Sequence, residues 1–293
     1  MSPDIVALIG ITWVGAIVNG ALGYGFSSLT VPVALLFYTN RLLNPALVLI
    51  EVVLNGYAVW TNRAGLSSVW GRVAPIILGL LPGVALGTWL VYLVNPGWMK
   101  VVTYAALIPL ILLQAGGIRR PIRSERSAGL TLGSGVGVLY AVTTISGPPL
   151  AVMFNNQGYT KQDFRAGLCV VRLAESSLTA VAYLYAGLFA MDSLRLIPFI
   201  VPSVIIGIPV GAWVIQRVRS ETFRRVCMSF DAWIVGFGMS KVLDELHIIE
   251  APAAYSVLAV VGAIDLYLLW RFFTRPKAPS RGLQEVITLT LDP

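Results

Sequence analysis

Charged residues are scarce in this sequence. Only 12% of its 293 residues are Asp, Glu, Lys or Arg, which is about half the share that soluble domains carry. Hydrophobic residues make up 57% of the chain, and its mean hydropathy is +0.79. This composition excludes a soluble globular protein and indicates an all-α polytopic membrane protein, with the lipid bilayer as its solvent.

Histidine and cysteine are also scarce. His247 is the only histidine, and the two cysteines, Cys169 and Cys227, lie in apolar segments. No spacing of these residues is typical of a metal site, so we expect no metal, no other cofactor and no enzymatic activity. An intramembrane enzyme acting on a lipid or isoprenoid would need clustered His, Asp or Glu residues, which makes this class the less favoured alternative.

The apolar residues form separate segments, most of them close to the roughly 20 residues that one helical crossing needs. The segments fall at 4–38, 45–61, 72–94, 98–116, 128–154, 165–187, 193–216, 222–243 and 252–271. Gly and Pro interrupt 4–38 at GALGYGFSSLTVP and 128–154 at TTISGPP. Lipid cannot satisfy the backbone groups freed by such breaks, so the breaks should face protein or a wet cavity, as they do in transporters.

The chain repeats itself. PVALLF, from Pro32, matches PLAVMF, from Pro149, and GVALGTWL, from Gly83, matches GIPVGAWV, from Gly207. The order is the same in both halves, which predicts two copies of one unit. We therefore divide the chain into a first repeat (1–116), a basic linker (117–127), a second repeat (128–243), a final transmembrane helix (244–271) and a tail (272–293).

Lys and Arg cluster at 119–126, at 217–225 and in the tail from Arg271. All three clusters should be cytoplasmic, because basic residues concentrate in cytoplasmic loops; this placement explains the net charge of +7 without a nucleic-acid partner. They share one side only if 128–154 is a re-entrant hairpin, with arms of roughly 20 Å in a core of about 30 Å. By the same logic we expect 4–38 to be a hairpin that enters from outside. Each repeat is then one hairpin plus three transmembrane helices, and the second repeat is inverted.

A new helix should begin after each break. The residues near the two helix starts are Ser27 and Ser28 in the first repeat, and Thr143, Thr144, Ser146 and Gly147 in the second. A helix start offers unpaired N–H groups and about half a positive charge. Two starts that meet near the midplane would therefore bind one small anion, with the hydroxyls as further donors. The alternative is that these Ser and Thr residues only cap the broken helices.

Ionisable residues inside apolar segments are usually functional. Aligning LNPALVLIEVVLN with FRAGLCVVRLAES places Glu51 and Arg172 at equivalent positions, and Asn55 opposite Ser176. Arg172 could neutralise an anionic substrate through its planar fork of donors, and Glu51 could carry a coupling proton. The alternative is a structural ion pair of Arg172, either with Glu175 one turn along the helix or with Glu51. Asn55 and Ser176 could line the same cavity.

GALGYGFSSLTVPVALLF and TTISGPPLAVMFNNQG resemble the paired Gly- and Pro-rich signatures of the sulfite exporter TauE/SafE family, also called the toluene-sulfonate uptake permeases. The resemblance covers residues 5–270. Gly23-Tyr24-Gly25-Phe26 stands where the family usually has a run of glycines. The resemblance implies transport of sulfite or an organosulfonate across the bacterial cytoplasmic (inner) membrane.

Together these observations predict a secondary transporter that moves a small sulfur-containing anion by alternating access, with its N-terminus outside and its C-terminus cytoplasmic. Its partners should be the anion, a coupling ion that could be a proton, and the bilayer. A passive anion channel is the main alternative, because channel and carrier share an anion-friendly lining. A homodimer is compatible with the sequence.

Overall fold

The computed structural model describes residues 3–116, 125–156, 160–218 and 220–274, and these ranges are helical with no strand. The helices are α1 (Pro3–Leu22), α2 (Phe26–Ala34), α3 (Asn40–Thr61), α4 (Leu66–Leu93), α5 (Pro96–Gly116), α6 (Glu125–Thr143), α7 (Gly147–Asn156), α8 (Lys161–Tyr185), α9 (Met191–Leu194), α10 (Ile197–Val214), α11 (Ser220–Glu245) and α12 (Ser256–Thr274). Most of the predicted linker 117–127 and of the predicted tail 272–293 lies outside the described residues.

Eight helical stretches of the described chain are long and apolar enough to cross a membrane. They correspond to α1, α3, α4, α5, α8, α9 with α10, α11, and α12. The all-helical prediction is thus confirmed for the described residues. The protein is a multi-pass membrane protein, whose exposed surface carries many large apolar side chains, Trp60, Trp89 and Trp213 among them.

The helices break where the sequence predicted. Helix α2 begins at Phe26 and α7 at Gly147. Gly23 and Gly25 have φ angles of 80° and 108°, a left-handed backbone that glycine adopts without strain, so a tight turn joins α1 to α2. The second break has Thr144 in this region, at φ 57°, which is rare for a β-branched residue and is the kind of strain found at functional sites.

The two helices that flank each break differ in length. Helix α1 has 20 residues and α2 has 9, while α6 has 19 and α7 has 10. The longer helices therefore measure about 30 Å and the shorter ones about 15 Å. The predicted arms of roughly 20 Å for 128–154 are corrected by this finding, because α6 begins at Glu125, ahead of the apolar run.

Two helix pairs approach so closely that only glycine fits between them. Helix α4 runs parallel beside α6, and α1 runs parallel beside α10. A Cβ added to Gly83 would lie 2.1 Å from the carbonyl oxygen of Ser134, and one added to Gly211 would lie 1.9 Å from that of Ile17. The backbones therefore touch directly, as they do where small residues line membrane helix interfaces, and each long helix before a break is fixed against a helix from the other half of the chain.

Helix α3 packs against α8, between two apolar clusters that include α2, α5 and α11 on one side and α4, α6 and α7 on the other. Each of the two helices carries buried polar side chains that are three, four, seven or more residues apart. These spacings place them on one face of each helix. On α3 these side chains are Asn40, Asn44, Glu51 and Asn55, and on α8 they are Arg172, Glu175, Ser176, Thr179 and Tyr183. The interface of α3 and α8 is therefore a polar seam inside an apolar bundle.

Candidate functional site

Glu51, in the middle of α3, has a fully buried side chain that accepts from three groups. Ser27, in the first turn of α2, donates to Oε1 at 2.6 Å, and the Tyr140 hydroxyl of α6 donates to Oε2 at 2.7 Å. Arg172 of α8 brings Nη2 to 3.2 Å from Oε1. Both carboxylate oxygens are thus satisfied, and the carboxylate joins α2, α3, α6 and α8.

Arg172 links this carboxylate to the first break. Its Nη1 donates to Asn19 Oδ1 and to the Gly23 carbonyl oxygen, each at 3.4 Å. The side chain is only 6% exposed, and its Nε has no hydrogen-bond partner among the described residues. Of the ion pairs that the sequence allowed, the structure forms the one with Glu51.

Glu175 is the second buried carboxylate of the polar seam. The Ser146 hydroxyl, at the start of α7, donates to its Oε1, and its Oε2 has no partner within the described part of the chain. Each short helix therefore presents a serine hydroxyl to a carboxylate of a long helix, Ser27 to Glu51 and Ser146 to Glu175. The hydroxyls do not cap their own helices, which was the alternative that the sequence left open for them.

The other hydroxyls at the second break behave differently. Thr143 Oγ1 accepts from the Ile145 amide at 3.0 Å and donates to the Leu139 carbonyl oxygen at 2.7 Å, and Thr144 donates to the Thr143 carbonyl oxygen at 2.7 Å. These two threonines stabilise the local backbone. Ser28, in the first turn of α2, is half-buried.

The two breaks lie against each other. A Cβ added to Gly147 would be 3.1 Å from Cδ2 of Tyr24, so the aromatic ring of the first break covers the start of α7. The two helix starts are unequal as anion sites, because Pro148 and Pro149 have no N–H and the Leu150 amide is bonded to the Ser146 carbonyl oxygen at 3.1 Å. Helix α2 has no proline in its first turn and keeps more backbone donors.

Asn55 and Ser176 position Arg172 rather than line an open space. Asn55 Nδ2 donates to the Arg172 carbonyl oxygen at 3.2 Å and to Ser176 Oγ at 3.4 Å. Ser176 Oγ donates to the same carbonyl oxygen at 2.8 Å. Both side chains are buried, so they fix the backbone from which the guanidinium extends.

A cavity of about 190 Å³ reaches this region from one side. Its walls come from the end of α1, the second half of α3, the first turns of α8 and Ile208 of α10. Asn19 and Gly23 line the cavity and also accept from Arg172, and the exposed Arg165 lies on its wall nearer the beginning of α8. The cavity therefore has one positively charged side chain on its wall, Arg165, and a second, Arg172, behind its inner end.

On the opposite side the polar seam is closed by hydrogen bonds to the second break. Asn40 and Asn44 donate to the Val142 carbonyl oxygen at 3.1 Å and 2.7 Å, and the Tyr183 hydroxyl donates to the Ala141 carbonyl oxygen. Sequence reasoning missed these residues and Tyr140. The signal that could have found the two asparagines is their four-residue spacing in an apolar helix, in phase with Glu51 and Asn55.

A buried ion pair beside two broken helices, with a cavity on one side and a hydrogen-bonded closure on the other, is the arrangement of a membrane transport protein. The chain belongs to the sulfite exporter TauE/SafE family, whose sequence model matches residues 7–239. No curated protein and no solved structure matches the chain significantly. The described residues contain no group of three or more His, Cys, Asp or Glu side chains that could hold a metal ion.

Proposed function

We propose that the protein is a secondary transporter for a small sulfur-containing anion of the sulfite or organosulfonate class, and that it works by alternating access. The observation that carries the proposal is Arg172, a buried guanidinium behind the inner end of the cavity, with an unpartnered Nε and two long bonds to neutral acceptors. The planar fork of guanidinium donors suits anions that present two oxygens side by side, as sulfite and sulfonate groups do. Ser27, Ser146 and the backbone amides at the start of α2 stand beside it as further donors.

The proposed architecture is an inverted repeat in which α1–α2 and α6–α7 are re-entrant hairpins. The two ends of the first hairpin support this architecture. The pKa of Tyr38, which follows α2, is raised by burial and by the Asp4 carboxylate in the first turn of α1. The beginning of α1 therefore lies near the residues that follow α2. The second hairpin is supported by Phe154, late in α7, whose ring lies beside Gly167, early in α8. The reciprocal contacts of α1 with α10 and of α4 with α6 also fit two interlocked copies.

Cysteine labelling tests this topology. In a chain without Cys169 and Cys227, a cysteine replacing Arg123 in the basic linker and one replacing Thr160 before α8 should both react from the cytoplasmic side. If α6 and α7 together crossed the membrane once, the two cysteines would react from opposite sides. Asp192→Cys, ahead of α10, is the control and should react only from outside.

In the proposed orientation, the cavity of this conformation opens to the cytoplasm. The cavity opens beside Arg165, on the side of α3 and α8 that faces the basic residues Arg63 and Arg72, and such residues are typically cytoplasmic. Outward opening would require Asn40, Asn44 and Tyr183 to release the carbonyl groups of the second break. The anion would then leave by the side that is closed in the present conformation.

Counterflow separates the proposed carrier from a channel. Proteoliposomes loaded with unlabelled sulfite or toluenesulfonate should take up the labelled anion transiently above its outside concentration, because a carrier exchanges one anion for another. A channel would show only equilibration and no overshoot. A thermal-shift screen against sulfite, sulfate, thiosulfate and sulfonates would identify the anion, since a ligand that binds the native state raises the melting temperature.

Ser146→Ala should weaken anion binding about tenfold or more, because a hydrogen bond to a charged group contributes roughly 1.5–3 kcal/mol. The dissociation constant of the anion found in the screen is the measurement. Ser203→Ala is the matched control: Ser203 is a buried hydroxyl on α10 that donates to the Ile9 carbonyl oxygen at 3.2 Å, away from the polar seam. An unchanged dissociation constant in Ser146→Ala would show that the start of α7 is not part of the binding site.

A further inference from the structure

The sequence suggests Glu51 as the carrier of a coupling proton, but the two buried carboxylates of the polar seam differ in their partners. Glu51 has Arg172, Ser27 and Tyr140. Glu175 has one hydroxyl, that of Ser146, and forms no ion pair among the described residues. Arg172 and Glu51 neutralise each other, so an ionised Glu175 would be the excess negative charge of the site.

We infer that Glu175 is the proton-binding site of the transporter and that the proton and the anion move together in the same direction. The inference rests on the proposed anion transport. An ionised carboxylate without a cation is unstable away from water, whereas the neutral acid needs only hydrogen bonds. With the proton on Glu175, the ionised side chains Glu51 and Arg172 and the neutral Glu175 sum to zero charge, and the anion meets no net repulsion.

The other groups that face Glu175 agree with this assignment. Arg172 precedes it by one turn on α8, Glu51 faces it from α3, and the Tyr140 hydroxyl of α6 is already bonded to Glu51. Ser146 faces Glu175 from the start of α7, which has no ionisable residue between 147 and 156, and α4, which also packs on α8, has no charged residue between 73 and 93. Among the described residues, Arg172 is therefore the one cation near both carboxylates, and its ion pair is with Glu51.

Ser146 provides a direct link between proton and anion. When Glu175 is ionised, the Ser146 hydroxyl donates to it, as in the structure. When Glu175 is protonated, its own hydroxyl can donate to Ser146 Oγ, and the serine hydrogen becomes free to donate to an anion. Each ligand thus favours the binding of the other, and the coupling has the same size in both directions.

The test compares three proteins in proteoliposomes with labelled toluenesulfonate, a sulfonate that stays ionised throughout the pH range used. In wild type, an acid-outside pH gradient should drive accumulation by up to about tenfold per pH unit at one proton per anion. Glu175→Gln resembles the protonated acid in shape and charge, so it should lose gradient-driven accumulation and bind the anion with an affinity that no longer changes with pH. Asp231→Asn, which removes another buried carboxylate on α11, should accumulate the anion like wild type.

A measurement without mutation keeps the test decisive if Glu175→Gln does not fold. Anion binding to solubilised wild type should take up close to one proton, seen as a dependence of the calorimetric heat on the ionisation heat of the buffer. Exchange without accumulation by a pH gradient, accumulation by a sodium gradient, or coupling that survives in Glu175→Gln would each overturn the role of Glu175 and leave anion transport intact. Wild type that neither binds nor exchanges any tested anion would instead refute the proposed function, and the coupling with it.

Discussion

Arg172→Ala should lose both folding stability and anion binding. The substitution leaves Glu51 buried with only Ser27 and Tyr140 as partners. Removing one member of a buried ion pair typically costs about 3–5 kcal/mol, because the remaining charge is uncompensated. It also removes the guanidinium that holds the carbonyl group of Gly23. Thermal unfolding of the solubilised protein, with and without the anion, measures both losses.

Two further variants separate the structural loss from the functional one. Arg172→Ala combined with Glu51→Gln removes both charges and should recover most of the stability, but it should not bind the anion. Arg172→Lys keeps the charge without the planar fork, so it should fold better than the alanine variant and bind the anion weakly. If Arg172→Ala unfolded at the same temperature as wild type, the ion pair would not be needed to stabilise the packing of α2, α3, α6 and α8.

The sequence was sufficient to predict the membrane-spanning helices and both breaks, because membrane helices depend on local apolar content and the breaks depend on Gly and Pro. It also singled out Glu51 and Arg172, which the structure brings together as an ion pair. It did not decide which carboxylate pairs with Arg172. Glu175 is one turn away on the same helix, whereas Glu51 is on another helix, and the choice depends on how closely α3 and α8 pack.

The lengths of the helices beside the breaks and the roles of the hydroxyls could not be predicted from the sequence, because they too depend on contacts between helices. Ser27 and Ser146 look like capping residues in sequence, yet their hydroxyls donate to carboxylates on α3 and α8. Thr143 and Thr144 look similar and do stabilise the local backbone. The residue type near a helix start does not determine the hydrogen-bond partner of its side chain, because that partner depends on which groups the neighbouring helix places within reach.

Gly133→Ala should strongly destabilise the protein, while Gly135→Ala, two residues along the same helix, should not. A Cβ at Gly133 would lie 2.1 Å from the Ile76 carbonyl oxygen, whereas nothing lies within 4 Å of one at Gly135. The obstacle at Gly133 is backbone, so α4 and α6 would have to separate. Overpacking usually costs about 1–3 kcal/mol, against an intrinsic gain of roughly 0.5–1 kcal/mol for replacing glycine by alanine in a helix.

Helix α1 offers the same comparison in the other half of the chain. A Cβ at Gly20 would lie 2.1 Å from the Ile208 carbonyl oxygen, and nothing lies within 4 Å of one at Gly10. Thermal unfolding of the four single variants should place Gly20→Ala and Gly133→Ala well below wild type and the other two at or above it. Equal melting temperatures within either pair would mean that the close helix contact is not required. Because both contacts lie on the helices that lead into the breaks, we expect the two destabilised variants to lose anion binding as well.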